Sequence, residues 1–191
     1  MIEEALRRAG ADENIDQMLA EFLVHYEANI AVESRLFPGA VASLERLATA
    51  GAKLAVCTNK REYLTRKLLE ALGLQHYFHS VAGRETFAVS KPHPGHLIQV
   101  ITLADGVPSR AIMVGDSDVD LRTAKAASVP SILVSFGYAT EALHELTPDA
   151  ISASWPSRPC WPPSPFGVGI VRRPRRLLPQ ICPISTGLLS I

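Results

Sequence analysis

The stretch AIMVGDSDVDLRTAKAA, Ala111–Ala127, decides how the chain is read. It opens with four apolar residues, Ala111 to Val114, the pattern of a short strand buried on both faces. Gly115 allows a turn free of a Cβ. Asp116, Asp118 and Asp120 follow at alternate positions, and then Leu121, Ala124 and Ala127 repeat at helical spacing. A strand that runs into acids and restarts as a helix sets those acids at the carboxyl edge of a sheet, where open α/β folds bind ligands. One Asp there is what a helix dipole favours anyway. Three directly after a buried strand mark a site for a hard cation such as magnesium, which takes one or two carboxylates and keeps several waters.

Outward from this stretch, strands and helices alternate. On the amino-terminal side the spacing predicts a helix over Ala40–Ala50 ending at Gly51 and a strand Lys53–Cys57. A helix Arg61–Leu72 ending at Gly73, a short strand Ser80–Ala82 and a helix Pro94–Leu103 follow. On the carboxyl side come strand Ser131–Val134, helix Thr140–Leu146 and an edge strand Asp149–Ser152. Strands alternating with helices of about ten residues imply a parallel sheet covered on both faces. Residues 2–9 and 14–31 read as helices before this core. In the second, Ile15, Met18, Leu19, Phe22, Leu23 and Tyr26 form an apolar stripe that needs a partner.

At 191 residues, 47% apolar and 20% charged, the chain has the composition of a globular protein with one sizeable core. The formal net charge of zero hides a split: residues 1–149 hold 14 basic and 19 acidic residues, and residues 150–191 five arginines and no acid. Cys57, Cys160 and Cys182 form neither a metal pattern nor an even disulfide set, which suggests a reducing compartment. The start, MIEEALRRAG, is a charged amphipathic helix rather than a signal peptide. No apolar run approaches the roughly 20 residues a membrane span needs. Together these point to a cytoplasmic protein. Beyond Ser154 the pattern breaks: residues 155–191 carry eight of the 14 prolines and both tryptophans. That tail reads as disordered or as out-of-frame translation; its RRPRR cluster alone does not make a nucleic-acid arm.

Two further positions join the acids. Thr58 follows the strand Lys53–Cys57, so its hydroxyl and the Thr58-Asn59 backbone could hold a phosphate oxygen at a helix start. Lys91 sits in Ser90-Lys91-Pro92-His93-Pro94-Gly95, a stiff loop that can aim a point charge inward.

Thr58-Asn59, Ser90-Lys91-Pro92 and Gly115-Asp116-Ser117 with Asp120, in this order and spacing, resemble the haloacid dehalogenase superfamily of phosphohydrolases. Within it, HYEANI (25–30), LFPGA (36–40), LAVCTNKRE (54–62), FAVSKPHPGHL (87–97) and VSFGY (134–138) resemble phosphoglycolate phosphatases. The resemblance covers about residues 1–152. It implies a Rossmann-like parallel α/β sheet (36–152) with a partial helical cap at the amino terminus (1–35), followed by the tail (153–191). It also implies roles. Thr58 and Lys91 match residues that grip the phosphoryl group during catalysis, with Asn59 beside them as a further substrate contact. Asp116 and Asp120 match the acids of a magnesium site, Asp120 directly or through water. Asp118 falls at a variable, surface position. His93 receives no role, and His93 with His96 is not read as a zinc pair because Pro94-Gly95 interrupts it.

The implied partner is a small phosphorylated metabolite, 2-phosphoglycolate first, without nucleic acid or membrane. A sugar-phosphate phosphatase or β-phosphoglucomutase-like enzyme is the alternative inside the superfamily. One departure matters. These enzymes attack phosphate with an Asp in an Asp-x-Asp-Gly-Thr segment on the first, central strand. The sequence contains no such segment. The chain therefore reads as a fragment or mis-called start, with that strand absent and the nucleophile missing, inactive as given or a non-catalytic phosphate- and metal-binding remnant. Strands Lys53–Cys57 and Ala111–Val114 should then face an empty slot, each unpaired buried backbone group costing about 1–3 kcal/mol.

Overall fold

The structure, a computed structural model, describes residues 15–136 and 147–153, and the backbone of Ile181–Ile184 and Leu189–Ser190. The expected helices over 2–9 and Thr140–Leu146 lie outside the described residues. In chain order the elements are α1 (Ile15–Ala28), β1 (Arg35–Leu36), α2 (Ala40–Thr49), β2 (Lys53–Cys57) and α3 (Glu62–Ala71). Then come β3 (Phe78–Ala82), α4 (Pro94–Leu103), β4 (Met113–Gly115), α5 (Asp118–Ala126), β5 (Ser131–Val134) and β6 (Ala150–Ser152). Two short strands of the tail, β7 (Ile181–Ile184) and β8 (Leu189–Ser190), complete the set.

The six-stranded sheet runs β3-β2-β7-β4-β5-β6, and its strand pairs are parallel. A second, two-stranded antiparallel sheet joins β1 to β8. Alternation along β2 explains the layers. Leu54 and Val56 face one side, packed with Leu44 and Leu47 of α2 and Leu68 of α3. Ala55 and Cys57 face the other, against Leu97, Val100 and Ile101 of α4 and Ala124 of α5. Each fully buried Leu or Ile here is worth about 1.5–3 kcal/mol relative to exposure. The expected helices between β2 and β5 agree with the observed ones to about a residue at each end. Gly51, at φ 81°, ends α2 as expected, its N–H bonding the Ala48 carbonyl at 2.9 Å.

One expectation changes. The slot between β2 and β4 is not open: β7 lies in it, with Leu54 opposite Cys182, Ala55 opposite Pro183 and Val56 opposite Ile184 on one side. On the other side Val114 pairs with Ile184. Residues 155–191 show no periodicity. An exposed parallel edge, however, accepts an extended segment through backbone groups alone, whatever its side-chain pattern. In the apolar stripe of α1, Leu19 and Phe22 stand 36% and 45% exposed.

Candidate phosphate and metal site

The carboxyl ends of β2 and β4 lie side by side across β7, and the predicted residues gather there. Thr58, next after β2, is buried, and its N–H donates to the Ala82 carbonyl at 3.1 Å, tying it to the end of β3. Its hydroxyl accepts the Lys60 N–H at 3.0 Å. Asn59 donates its side-chain amide to the Lys91 carbonyl at 2.8 Å. It thus ties the turn after β2 to the Lys91 loop. Pro92 follows a cis peptide bond.

Lys91 and Asp120 form the centre. The ammonium meets Asp120 Oδ1 at 2.6 Å, with side chains only 5% and 1% exposed. Asp120 Oδ2 accepts from Ser117 Oγ at 2.7 Å, Asp116 N–H at 3.1 Å and Ser117 N–H at 3.2 Å. Ser117 caps α5, accepting the Asp120 N–H at 3.3 Å, so Ser117 and Asp120 make a reciprocal capping box. This requires Gly115: a Cβ there would lie 2.4 Å from Asp120 Cβ. Burial alone would raise the Asp120 pKa. The Lys91 charge and the hydrogen bonds from Ser117 and Asp116 outweigh it and hold the carboxyl below its usual range. Burial pushes the neighbouring Cys57 thiol up to about 12, with Lys91 and Asp120 acting in opposite directions.

Asp116, also buried, precedes this network. Both Asp120 oxygens accept from protein groups. One or two carboxylates with waters match what magnesium accepts. Among the described residues there is no cluster of three or more His, Cys, Asp or Glu that could hold a metal.

Asp118 is an exterior group, paired with Arg122 at 2.6 Å one helical turn on. His93 caps α4, its Nδ1 accepting the Gly95 N–H at 3.1 Å. His96 is fully buried, with Nδ1 2.9 Å from the Val89 carbonyl and Nε2 without a hydrogen-bond partner. The two imidazoles therefore serve separate purposes. Sequence reasoning missed the Lys91–Asp120 pair, since it gave one residue to phosphate and the other to metal. It also missed Lys60, which lies beside Thr58 and contacts Tyr26 of α1 at 2.5 Å. The signal available was the position of Lys60 in the same strand-end turn.

A parallel α/β sheet with Thr58, Lys91, Asp116 and Asp120 at its carboxyl edge defines a Rossmann-like domain. The sequence profile of haloacid dehalogenase-like hydrolases matches residues 1–134, and the chain belongs to that family. It is 47% identical over 136 residues to a phosphoglycolate phosphatase of Mesorhizobium japonicum, covering 71% of this chain and 60% of that protein. It is 45% identical over 148 residues to the phosphoglycolate phosphatase of Agrobacterium fabrum, covering 77% and 64%. The chain thus spans less than two thirds of these relatives' length. Among solved structures, a predicted phosphoglycolate phosphatase of Haemophilus somnus superposes with a TM-score of 0.73 at 27% identity, covering 78% of this chain and 68% of that one. Among the described residues no helix is long and apolar enough to cross a membrane.

Proposed function

We propose that the chain carries the phosphate- and magnesium-binding part of a phosphoglycolate phosphatase-type site, and that this polypeptide binds a small phosphate monoester without hydrolysing it. The observation that carries this is the Lys91–Asp120 contact at 2.6 Å, which links the Lys91 loop to the acids after β4. The likeness to phosphoglycolate phosphatases supports 2-phosphoglycolate as the ligand. In this reading the Thr58 hydroxyl donates to a phosphoryl oxygen, and Lys91 supplies positive charge to it. Asn59 holds the Lys91 backbone in place through its 2.8 Å hydrogen bond. Asp116 and Asp120 would be the carboxylates that hold a magnesium ion. The bound ion would offset phosphate charge and orient the ester.

Formal charge makes the metal a requirement. Lys91 contributes one positive charge and Asp116 and Asp120 two negative ones, so the bare cluster repels a phosphate dianion. A divalent cation reverses that sign. The non-catalytic part of the proposal rests on β7. The strand between those bearing Thr58 and Asp116 reads Ile-Cys-Pro-Ile, with Ser185 next, and offers no carboxylate to attack phosphorus. Calorimetric titration with inorganic phosphate tests the reading. Binding should require magnesium and should weaken at least tenfold in Lys91→Met. Equal binding in magnesium and in a chelator would refute it.

A further inference from the structure

His96 stands in the first turn of α4, and its side chain reaches back to the loop that leads into that helix. It is fully buried. Its Nδ1 lies 2.9 Å from the carbonyl of Val89, a residue just ahead of Lys91 in the loop. The Phe87 ring meets the imidazole edge-on, with centroids 5.5 Å apart and planes at 75°. A carbonyl oxygen only accepts, so Nδ1 is the nitrogen that carries the proton. Nε2 is then a bare acceptor, and it has no hydrogen-bond partner among the described residues. Burial lowers the His96 pKa, the Val89 hydrogen bond opposes this and the Lys91 charge adds to it. At neutral pH the ring is therefore a neutral donor with its one proton committed to the loop.

That loop is anchored at intervals by other parts of the chain. At its start Thr86 Oγ1 accepts the Gly83 N–H at 2.8 Å and donates to the Glu62 carboxylate of α3 at 2.5 Å. At its end the Ser90 carbonyl accepts the His93 N–H at 2.9 Å, and the Lys91 carbonyl accepts the Asn59 amide at 2.8 Å. The His96–Val89 bond stands between these two ends. From the backbone so fixed, the Lys91 side chain runs to Asp120, 2.6 Å from its ammonium.

We propose that His96 is a positioning residue for Lys91: its Nδ1–H bond to the Val89 carbonyl fixes the backbone from which the Lys91 ammonium meets phosphate. This rests on the preceding functional reading and adds a residue outside the set that would hold phosphate and magnesium. A buried polar atom without a partner calls for an explanation. Here the donor at Nδ1 is the part of the ring the loop uses, and the unpaired Nε2 comes with it.

The test is calorimetry on the full chain with magnesium and inorganic phosphate. His96→Leu removes the donor and keeps a side chain of similar reach. His96→Asn puts an amide N–H about where Nδ1 stands. His96→Leu should weaken phosphate binding about 3- to 10-fold, the scale of one hydrogen bond, and His96→Asn should stay within about twofold of wild type. In a Lys91→Met background His96→Leu should cause no further loss, because its effect runs through Lys91. A residue that served only folding would lower resistance to urea in these variants and leave the phosphate affinity of the folded chain unchanged; that result would overturn the inference. Equal weakening by Leu and Asn would also overturn it, as would an undiminished His96→Leu effect in Lys91→Met. Nitrogen NMR on the labelled wild-type chain needs no variant to fold: the His96 proton should sit on Nδ1, and a proton on Nε2 would overturn the inference. A wild-type chain that binds no phosphate would overturn the functional reading itself, and this inference with it.

Discussion

The two strands that flank β7 and the strand itself make opposite kinds of contact. At the carboxyl edge, the turn after β2, the Lys91 loop and the start of α5 are locked together. Asn59 holds Lys91, Lys91 meets Asp120, and Asp120 accepts from Ser117 and Asp116. A few residues away β7 touches β4 through the single register pair Val114–Ile184, whereas β5 pairs with β4 at Met113, Val114 and Gly115. Pro183 also brings no N–H to the ladder, in a central position where proline is normally excluded. The site-bearing parts are specified by side chains in mutual register. The strand between them pairs with β2 at four positions and with β4 at one. Under the proposed function, binding geometry and chemical competence come apart in one sheet: the groups proposed to hold phosphate are organised, while the residues of β7 include no carboxylate.

The largest effect that would sharpen this contrast is expected in the buried pair. Lys91→Met leaves Asp120 charged, buried and short of its main partner, and should cost about 3–5 kcal/mol in urea unfolding. A loss below about 1 kcal/mol, the range of exposed pairs, would show that the network is not the organised part of the edge. Gly115→Ala comes next. The added methyl collides with Asp120 and should cost about 1–3 kcal/mol while weakening phosphate binding, because the acid must move. Hydrogen exchange probes the other side of the comparison. Amides of Cys182 and Ile184 should exchange at least about tenfold faster than those of Val81 and Ala82 in β3, as expected for a low-stability unit. Equal protection would mean that β7 is as integral as the rest.

The smallest effect concerns His96. Burial lowers its pKa, with the Lys91 charge adding to this and the hydrogen bond to Val89 opposing it. The unfolded imidazole titrates near 6.5, so below that pH the unfolded state binds more protons and stability falls. The slope should stay under about 1.4 kcal/mol per pH unit and level off once the folded value is passed. His96→Gln should flatten it in unfolding experiments between pH 7 and 5.

Much of this was legible in the sequence because it depends on local rules. The strand-end positions of Thr58 and Asp116, the periodicity of α2 to α5 and the Gly51 cap each need only a few neighbouring residues. Asp118 could be assigned to the exterior because it falls at a variable position of the motif it resembles, and it pairs there with Arg122 one helical turn later. The Lys91–Asp120 pair was not legible: it joins residues 29 apart whose separate resemblances pointed to different partners. The Lys60–Tyr26 contact spans 34 residues and two elements. β7 was hidden for another reason. Four residues are too few to show a period, and Pro183 argues against a central strand on any propensity scale.

The central claim is that the edge binds phosphate and magnesium but carries no nucleophile. It is tested most directly by incubating the purified chain with 2-phosphoglycolate and magnesium, then measuring released phosphate and bound ligand in the same sample. The expected result is magnesium-dependent binding with phosphate release at the rate of the buffer control. Sustained release well above that control, lost in Lys91→Met, would contradict it.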